Sequence, residues 1–352
     1  GMDEKAFVSW FHEIYMVSKE KASLAWEIAG REKELLERLD YDNGYSLYVG
    51  IPFCPTVCSY CSFSSGALAD WESRVEDYLD ALCKELKFIA QKSSLKKLNT
   101  IYIGGGTPTT LTAGQLERLL CCIDENFSRE HLLEYTVEAG RPDTVTQERL
   151  EALKRMGVTR ISINPQTFND EVLQEIGRSH TAQCAQEAFL LARAHGFSNI
   201  NMDLIAGLPK DTPASFCQTL DRTLSLDPES VTVHTLALKR SSTLVTNQQR
   251  AGDASLTGDM LASAQAALTA AGHFPYYMYR QSRCLGNLEN VGWCKKGHEG
   301  LYNIFMMEEC HTVLAAGAGA VTKLKAPHGD RIERIFNYKY PYEYNERFEQ
   351  LM

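Results

Sequence analysis

From Asn43-Gly44 onward the chain alternates two kinds of segment, and few folds accept that pattern. Apolar or β-branched runs occur at 45–51, 100–104, 133–138, 158–163, 199–205 and 230–236. Helix-like stretches lie between them near 71–92, 112–126, 144–156, 181–195 and 213–226. Thr112, Thr144 and Thr181 stand where N-caps belong, because a hydroxyl there accepts from an amide that the first helical turn leaves unpaired. Strands separated by helices pair in parallel through right-handed crossovers, so the expected class is α/β with a parallel sheet. Six units fall short of the eight of a closed barrel. Periodicity alone allows an open barrel or a doubly wound sheet.

Before residue 44 the chain is charge-rich and helical in pattern, without proline and with Gly30 as its only internal glycine. After residue 236 the pattern changes. A helix is expected at 256–271, followed by the aromatic stretch from Phe274 to Arg280. Segments 301–310, 312–324 and 331–337 read as an added sheet closing the open side of a barrel. The expected divisions are a helical extension at 1–43, a core at 44–240 and an accessory α+β region at 241–352.

Chemistry concentrates first at Cys54, Cys58 and Cys61. Their C-x3-C-x2-C spacing supplies three thiolates from one short loop. A 4Fe-4S cube takes four thiolates, so three leave one iron open to a non-protein ligand. A structural zinc site closes with a fourth nearby Cys or His, and this loop has none at the usual spacing. The bland alternative, three small residues buried along one helix face, is opposed by Pro52 and Pro55.

Composition sets limits on partners. A hydrophobic fraction of 44% with 23% charged residues is that of a soluble globular protein, and no apolar stretch approaches ~18 residues, so no membrane span is expected. Eleven cysteines without a secretory signal imply a reducing cytoplasm. Cysteines outside the loop, such as Cys121 and Cys122, read as packing residues. A net charge of −9 argues against a nucleic-acid surface.

The cysteine loop, with Tyr60 just before Cys61, resembles the signature of the radical S-adenosylmethionine superfamily. The preceding run from Tyr48 to Cys54 is similar to its oxygen-independent coproporphyrinogen III oxidase branch. Similar motifs recur from about Tyr45 to Leu324. The resemblance implies a three-quarter barrel of six β/α units, a 4Fe-4S cluster on Cys54, Cys58 and Cys61, and S-adenosylmethionine chelated to it. With Tyr48, those cysteines form the implied catalytic group. The cofactor's implied partners are Tyr48, Tyr60, Gly105, Gly106, Thr107, Glu138, Gln166, Arg178 and Asp203. Carboxylates and amides accept from ribose hydroxyls, arginine pairs with a carboxylate, and an aromatic face stacks on adenine. Glycines at a strand end also let backbone amide and carbonyl groups approach a ligand closely.

The implied activity is radical decarboxylation of tetrapyrrole propionates to vinyl groups, with electrons from a donor such as a flavodoxin or ferredoxin. Lys239, Arg240, Arg280 and Arg283 are the available propionate partners in segments similar to a bacterial coproporphyrinogen dehydrogenase subgroup. Two departures stand out. Pro165 precedes Gln166 where a small or β-branched residue is expected. Phe63 occupies the position of a fourth cysteine in the true oxidases. The related heme-chaperone branch also lacks that cysteine, and a chaperone needs an iron ligand, with His234 and His298 the candidates. A third reading is a radical enzyme acting on another carboxylated substrate.

Overall fold

All six apolar runs become neighbouring parallel strands of one sheet. The computed structural model describes residues 2–41, 43–61, 66–93, 96–240, 242–247, 252–327 and 329–350. Its strands are β1 (Gly44–Ile51), β2 (Phe53–Cys54), β3 (Gly66–Ala67), β4 (Lys97–Gly105), β5 (Glu134–Glu138), β6 (Arg160–Ser162), β7 (Ile200–Ala206), β8 (Ser230–Thr235), β9 (Phe274–Tyr279), β10 (Asn290–Cys294), β11 (Thr312–Ala316), β12 (Val321–Lys325) and β13 (Ile332–Phe336). Eleven of them form a sheet in the order β13-β12-β11-β1-β4-β5-β6-β7-β8-β10-β9, and β2 pairs separately with β3. Strands β1 and β4 to β8 run parallel, each joined to its neighbour in the pattern the helical crossovers demand.

Helices Val75–Ser93, Ala113–Asn126, Gln147–Arg155 and Ala182–Ala194 cover the outer face. Leu47, Val49, Ile101, Ile103, Val137, Ile161 and Met202 are buried in the largest core cluster, with side chains from these helices. Fully burying such a side chain is worth about 1.5–3 kcal/mol, and Leu47→Ala is expected to cost about 2–5 kcal/mol. Thr112 and Thr181 cap their helices. The third cap is Thr146, not Thr144, because Pro142–Thr144 is taken up by a 3₁₀ turn.

The region beyond β8 departs from expectation. It extends the same sheet at both edges instead of building another: β11 pairs with β1 as a seventh parallel strand, while β10 pairs antiparallel with β8. Segment 301–310, expected as a strand, holds the helix Leu301–Met307. Its N-cap, Gly300, offers no side chain. The Glu134 carboxylate of β5 takes that part, accepting from the amides of Leu301 at 2.7 Å and Tyr302 at 3.4 Å. A cap from a distant strand is invisible to local sequence pattern.

At the N-terminus, helix Lys19–Leu36 buries Ala22, Leu24, Ile28 and Glu32, whereas Glu4–Tyr15 buries nothing. Cys122 is buried as expected of a packing residue, but Cys121 is exposed. Among the described residues no helix is long and apolar enough to cross a membrane.

Candidate active site

Because side chains alternate across a strand, the same strands that bury aliphatic residues outward turn a second set inward. That inner set is polar: Thr136 and Glu138 on β5, Arg160 and Ser162 on β6, Asn201 and Asp203 on β7, Thr232 and His234 on β8. With Tyr102 of β4 and Tyr277 and Tyr279 of β9 they line one cavity of about 340 Å3, so the sheet curls around it. Register puts Glu138 beside Ser162, Ser162 beside Asn201, and Asp203 beside Thr232. A continuous ladder follows: Asn201 Nδ2 donates to Ser162 Oγ at 2.9 Å and to Asp203 Oδ1 at 2.6 Å, and Thr232 Oγ1 donates to Asn201 Oδ1 at 3.2 Å.

The cysteine loop closes one end of this cavity, lined by Cys54, Cys58, Cys61 and Tyr60. No helix runs through the three cysteines, and none of the chain's eleven cysteines forms a disulfide. Backbone bonds fasten the loop. Gly106 N donates to Ile51 O and Thr107 N to Phe53 O, each at 2.7 Å, while Ser59 N donates to Ile176 O at 3.0 Å. The amides of Gly106 and Thr107 therefore tie the glycine segment to the cysteine loop. Gly106 has to be glycine for this approach, because a Cβ there would lie 2.6 Å from Phe53 O. Thr107 Oγ1 donates to Cys54 Sγ at 3.5 Å. Among the described residues no three His, Cys, Asp or Glu side chains converge on a single ion. A cubane makes a different demand, since each thiolate binds a separate iron.

Around the loop stand most of the expected cofactor partners. Gly105, Gly106, Thr107, Glu138, Gln166, Arg178 and Asp203 all line the cavity. Burial drives the Glu138 carboxyl up to about 7; the hydrogen bonds from Tyr102 Oη and the Gly105 amide oppose this, and the Asp203 charge adds to it. Burial also pushes Asp203 up, but His234, 3.6 Å away, together with Asn201 and Thr232, outweighs it and holds the carboxyl below its ordinary range. His234 is itself held on the other side, with Nδ1 3.0 Å from Tyr279 Oη. Burial raises the Tyr60 phenol, whose oxygen accepts from Arg178 Nη2 at 3.2 Å. Arg178 Nη1 donates to Asn164 O at 2.6 Å.

Gln166 shows what Pro165 does. Proline keeps the preceding Asn164 extended, and Gln166 then turns into the left-handed region at φ 67°, a strained setting for a side chain with a Cβ. Its backbone bridges β7, with N bonded to Asp203 O and O to Ile205 N at 3.0 Å. Its buried Oε1 has no partner among the described residues, and Gln166 lines the cavity. An orphaned acceptor, a backbone cradle and an arginine together suit a polar ligand with hydroxyl, ammonium and carboxylate groups.

Other expected residues are not all in the lining. Tyr48 is not among the lining residues, but it pairs with Tyr102 across β1 and β4, stacks on Tyr102 at 6.3 Å and Tyr302 at 6.4 Å, and carries its hydroxyl beside Gly105. Of the four expected cations only Lys239 lines it, and Arg240, Arg280 and Arg283 are exposed. His298 is not part of the lining, and its carbonyl accepts from Arg160. Phe63 lies outside the described residues. Sequence reasoning missed Tyr102, Arg141, Asn164, Asn201 and Tyr279. For the strand residues the signal was present as polar side chains at every second position of otherwise apolar strands.

Comparison with known proteins follows the same lines. Residues 48–223, half of the chain, match the radical SAM superfamily. The chain is 41% identical over 356 residues to the oxygen-independent coproporphyrinogen-III oxidase-like protein HemZ of Bacillus subtilis, covering 99% of this chain and 71% of that one. It is 39% identical over 195 residues to the heme chaperone HemW of the same organism, covering 55% of this chain and about half (51%) of that one. Coproporphyrinogen III oxidase (HemN) from Escherichia coli, a radical SAM enzyme, shares the fold, with a TM-score of 0.71 at 24% identity over 90% of this chain and 72% of that one. The partial barrel that the motifs implied is thus the fold observed. Identity of this extent along nearly the whole chain leaves one assignment: it belongs to the radical SAM superfamily, in the branch of coproporphyrinogen oxidase-like proteins, and its cofactors are a 4Fe-4S cluster and S-adenosylmethionine.

Proposed function

We propose that this chain is an oxygen-independent coproporphyrinogen III oxidase, converting two propionates of coproporphyrinogen III to the vinyl groups of protoporphyrinogen IX. Each propionate gives up one hydrogen atom to the 5′-deoxyadenosyl radical, carbon dioxide, and one electron to an external one-electron acceptor. The observation that carries this reading is one continuous cavity, running from the cysteine loop past the polar inner side chains of β5 to β8 to Lys239, Tyr279 and Gln281. At about 340 Å3 it is at the small end for a ligand site, which suits a nucleoside cofactor inside and a tetrapyrrole edge at the mouth.

In this reading Cys54, Cys58 and Cys61 hold the cluster, and Tyr60, Gly105, Gly106, Thr107, Glu138, Gln166, Arg178 and Asp203 hold S-adenosylmethionine. When bound and reduced by a flavodoxin or ferredoxin, these groups supply a 5′-deoxyadenosyl radical that abstracts hydrogen. The chain's own part is positional. Asp203, kept ionised by His234, accepts from ribose hydroxyls, and Gln166 Oε1 offers a second acceptor. Arg178 pairs with the methionyl carboxylate. Lys239, with Nζ 3.0 Å from Ser282 O, offers the substrate a cation at the mouth. Eleven cysteines without a disulfide suit a reducing cytoplasm.

The second reading is a heme chaperone, favoured by the likeness to HemW and by Phe63 in place of a cysteine. Against it, His234 has both ring nitrogens engaged, by Tyr279 and by Asp203, and His298 is not in the cavity lining. The deciding experiment is anaerobic incubation of reconstituted protein with S-adenosylmethionine, reductant and coproporphyrinogen III, followed by mass analysis of the porphyrins. Loss of two carbon dioxides per tetrapyrrole is expected. Tight heme binding with no decarboxylation replaces the oxidase by the chaperone.

A further inference from the structure

Arg141 belongs to none of the expected cofactor partners, yet it is 2% exposed and committed to the cysteine loop. It sits just past β5, before the turn Pro142–Thr144. Two edges of its guanidinium face opposite ways. Nε and Nη2 each donate to Asp143, to Oδ1 and Oδ2, at 3.0 Å. Nη1 donates to Thr56 Oγ1 at 3.0 Å and Thr56 O at 3.3 Å, and lies 4.0 Å from Cys58 Sγ. The carboxylate thus lies on the far edge, and the positive end of the ion pair meets the sulfur. Burying an ion pair is not in itself a gain in stability, which makes the orientation of this one the informative feature.

We propose that Arg141 is a positioning residue that holds the turn from Thr56 to Cys58 and raises the reduction potential of the cluster carried by Cys58. The inference rests on the assignment of Cys58 as a cluster ligand. Reduction adds negative charge to the cluster, and a cation close to a ligating sulfur in a water-poor site stabilises the added charge more than the oxidised state. Hydrogen bonds to the ligand loop act in the same sense. Asp143 orients the guanidinium and, by its own charge, limits the effect. The two residues therefore pull the potential in opposite directions.

The test is a redox titration of reconstituted protein, followed by electron paramagnetic resonance of the reduced 4Fe-4S signal and by iron analysis. Arg141→Leu is expected to retain iron but to lower the midpoint potential, weakening electron uptake about tenfold, which for one electron is about 59 mV. Arg141→Lys, which keeps the charge, should recover most of the difference. Asp143→Asn should move the potential the other way, a result a merely structural role does not produce. Unchanged potentials in Arg141→Leu and Asp143→Asn at full iron content overturn the proposal. Should Arg141→Leu fail to load iron, Asp143→Asn decides alone, and an unshifted potential there overturns it equally. Absence of any 4Fe-4S signal in the wild-type protein sinks the cluster assignment itself, which the iron analysis reads separately.

Discussion

The two ends of the cavity are built differently. At the cysteine loop nearly every group is fixed by at least one bond from another strand or turn: Cys54 by Thr107, Tyr60 by Arg178, Thr56 by Arg141, Ser59 by Ile176. At the mouth, the Lys239 side chain bonds Ser282, and the other expected substrate cations, Arg240, Arg280 and Arg283, are exposed and outside the cavity lining. Preorganisation at one end and exposure at the other match a division between a resident cofactor and a substrate that comes and goes. The comparison also explains why the family is legible here while the substrate is not: close-packed ends tolerate few residues, and exposed ends tolerate many.

Four experiments break or sharpen that contrast. The largest effect is expected at the loop itself. Cys58→Ala should abolish the 4Fe-4S resonance, whereas Cys83→Ala and Cys184→Ala should keep it; a surviving signal in Cys58→Ala removes the cysteine loop from the site. Next come the cofactor partners. Asp203→Ala and Arg178→Ala should weaken S-adenosylmethionine binding by about ten- to a hundredfold with iron retained, since a hydrogen bond to a charged group is worth about 1.5–3 kcal/mol. Calorimetric titration giving wild-type affinity for both assigns them to folding.

At the mouth the expected losses are smaller. Lys239→Ala should reduce porphyrinogen turnover about fivefold, as an ion pair at a partly exposed site is worth up to about 1 kcal/mol. Arg283→Ala should change it by less than about twofold while slow, substrate-independent 5′-deoxyadenosine formation persists. A larger effect of Arg283 than of Lys239 on steady-state rates means that the mouth reorganises around substrate.

The smallest effect concerns stability and pH. Glu138 titrates at about 7 in the fold against about 4.5 as a free side chain, so between those values the folded protein holds the extra proton. Its contribution is fully present below about pH 4.5 and is lost as the pH rises through 7. Cofactor-free wild-type protein should lose stability to urea between pH 5 and 7.5, and Glu138→Gln should lose less. Parallel slopes for the two proteins would show that Glu138 is solvated.

Much of this molecule was readable before its folding was known, and the rest was not, for reasons that particular residues show. The strands β1 and β4 to β8 were legible because a strand buried against a helical layer must repeat aliphatic residues, as Val137, Ile161 and Met202 do. The cysteine triplet was legible because its three donors lie within eight consecutive residues. Segment 301–310 was misread because Leu301–Met307 is short and apolar, which suits a strand or a helix equally. Glu134 decides between them, from β5, by capping the two leading amides. Arg141 and the Tyr279–His234–Asp203 chain were missed because each joins residues more than thirty positions apart or on different strands, and no spacing rule connects them. Local covalent order thus dictated most of the strands and helices, though not the helix Leu301–Met307, and where the thiolates cluster, since those depend on neighbours within a turn or two. Which charges meet, which carboxyl keeps its proton and which arginine reaches the cysteine loop were decided only when the sheet curled, because burial and Coulomb energy depend on distance in space and on the exclusion of water.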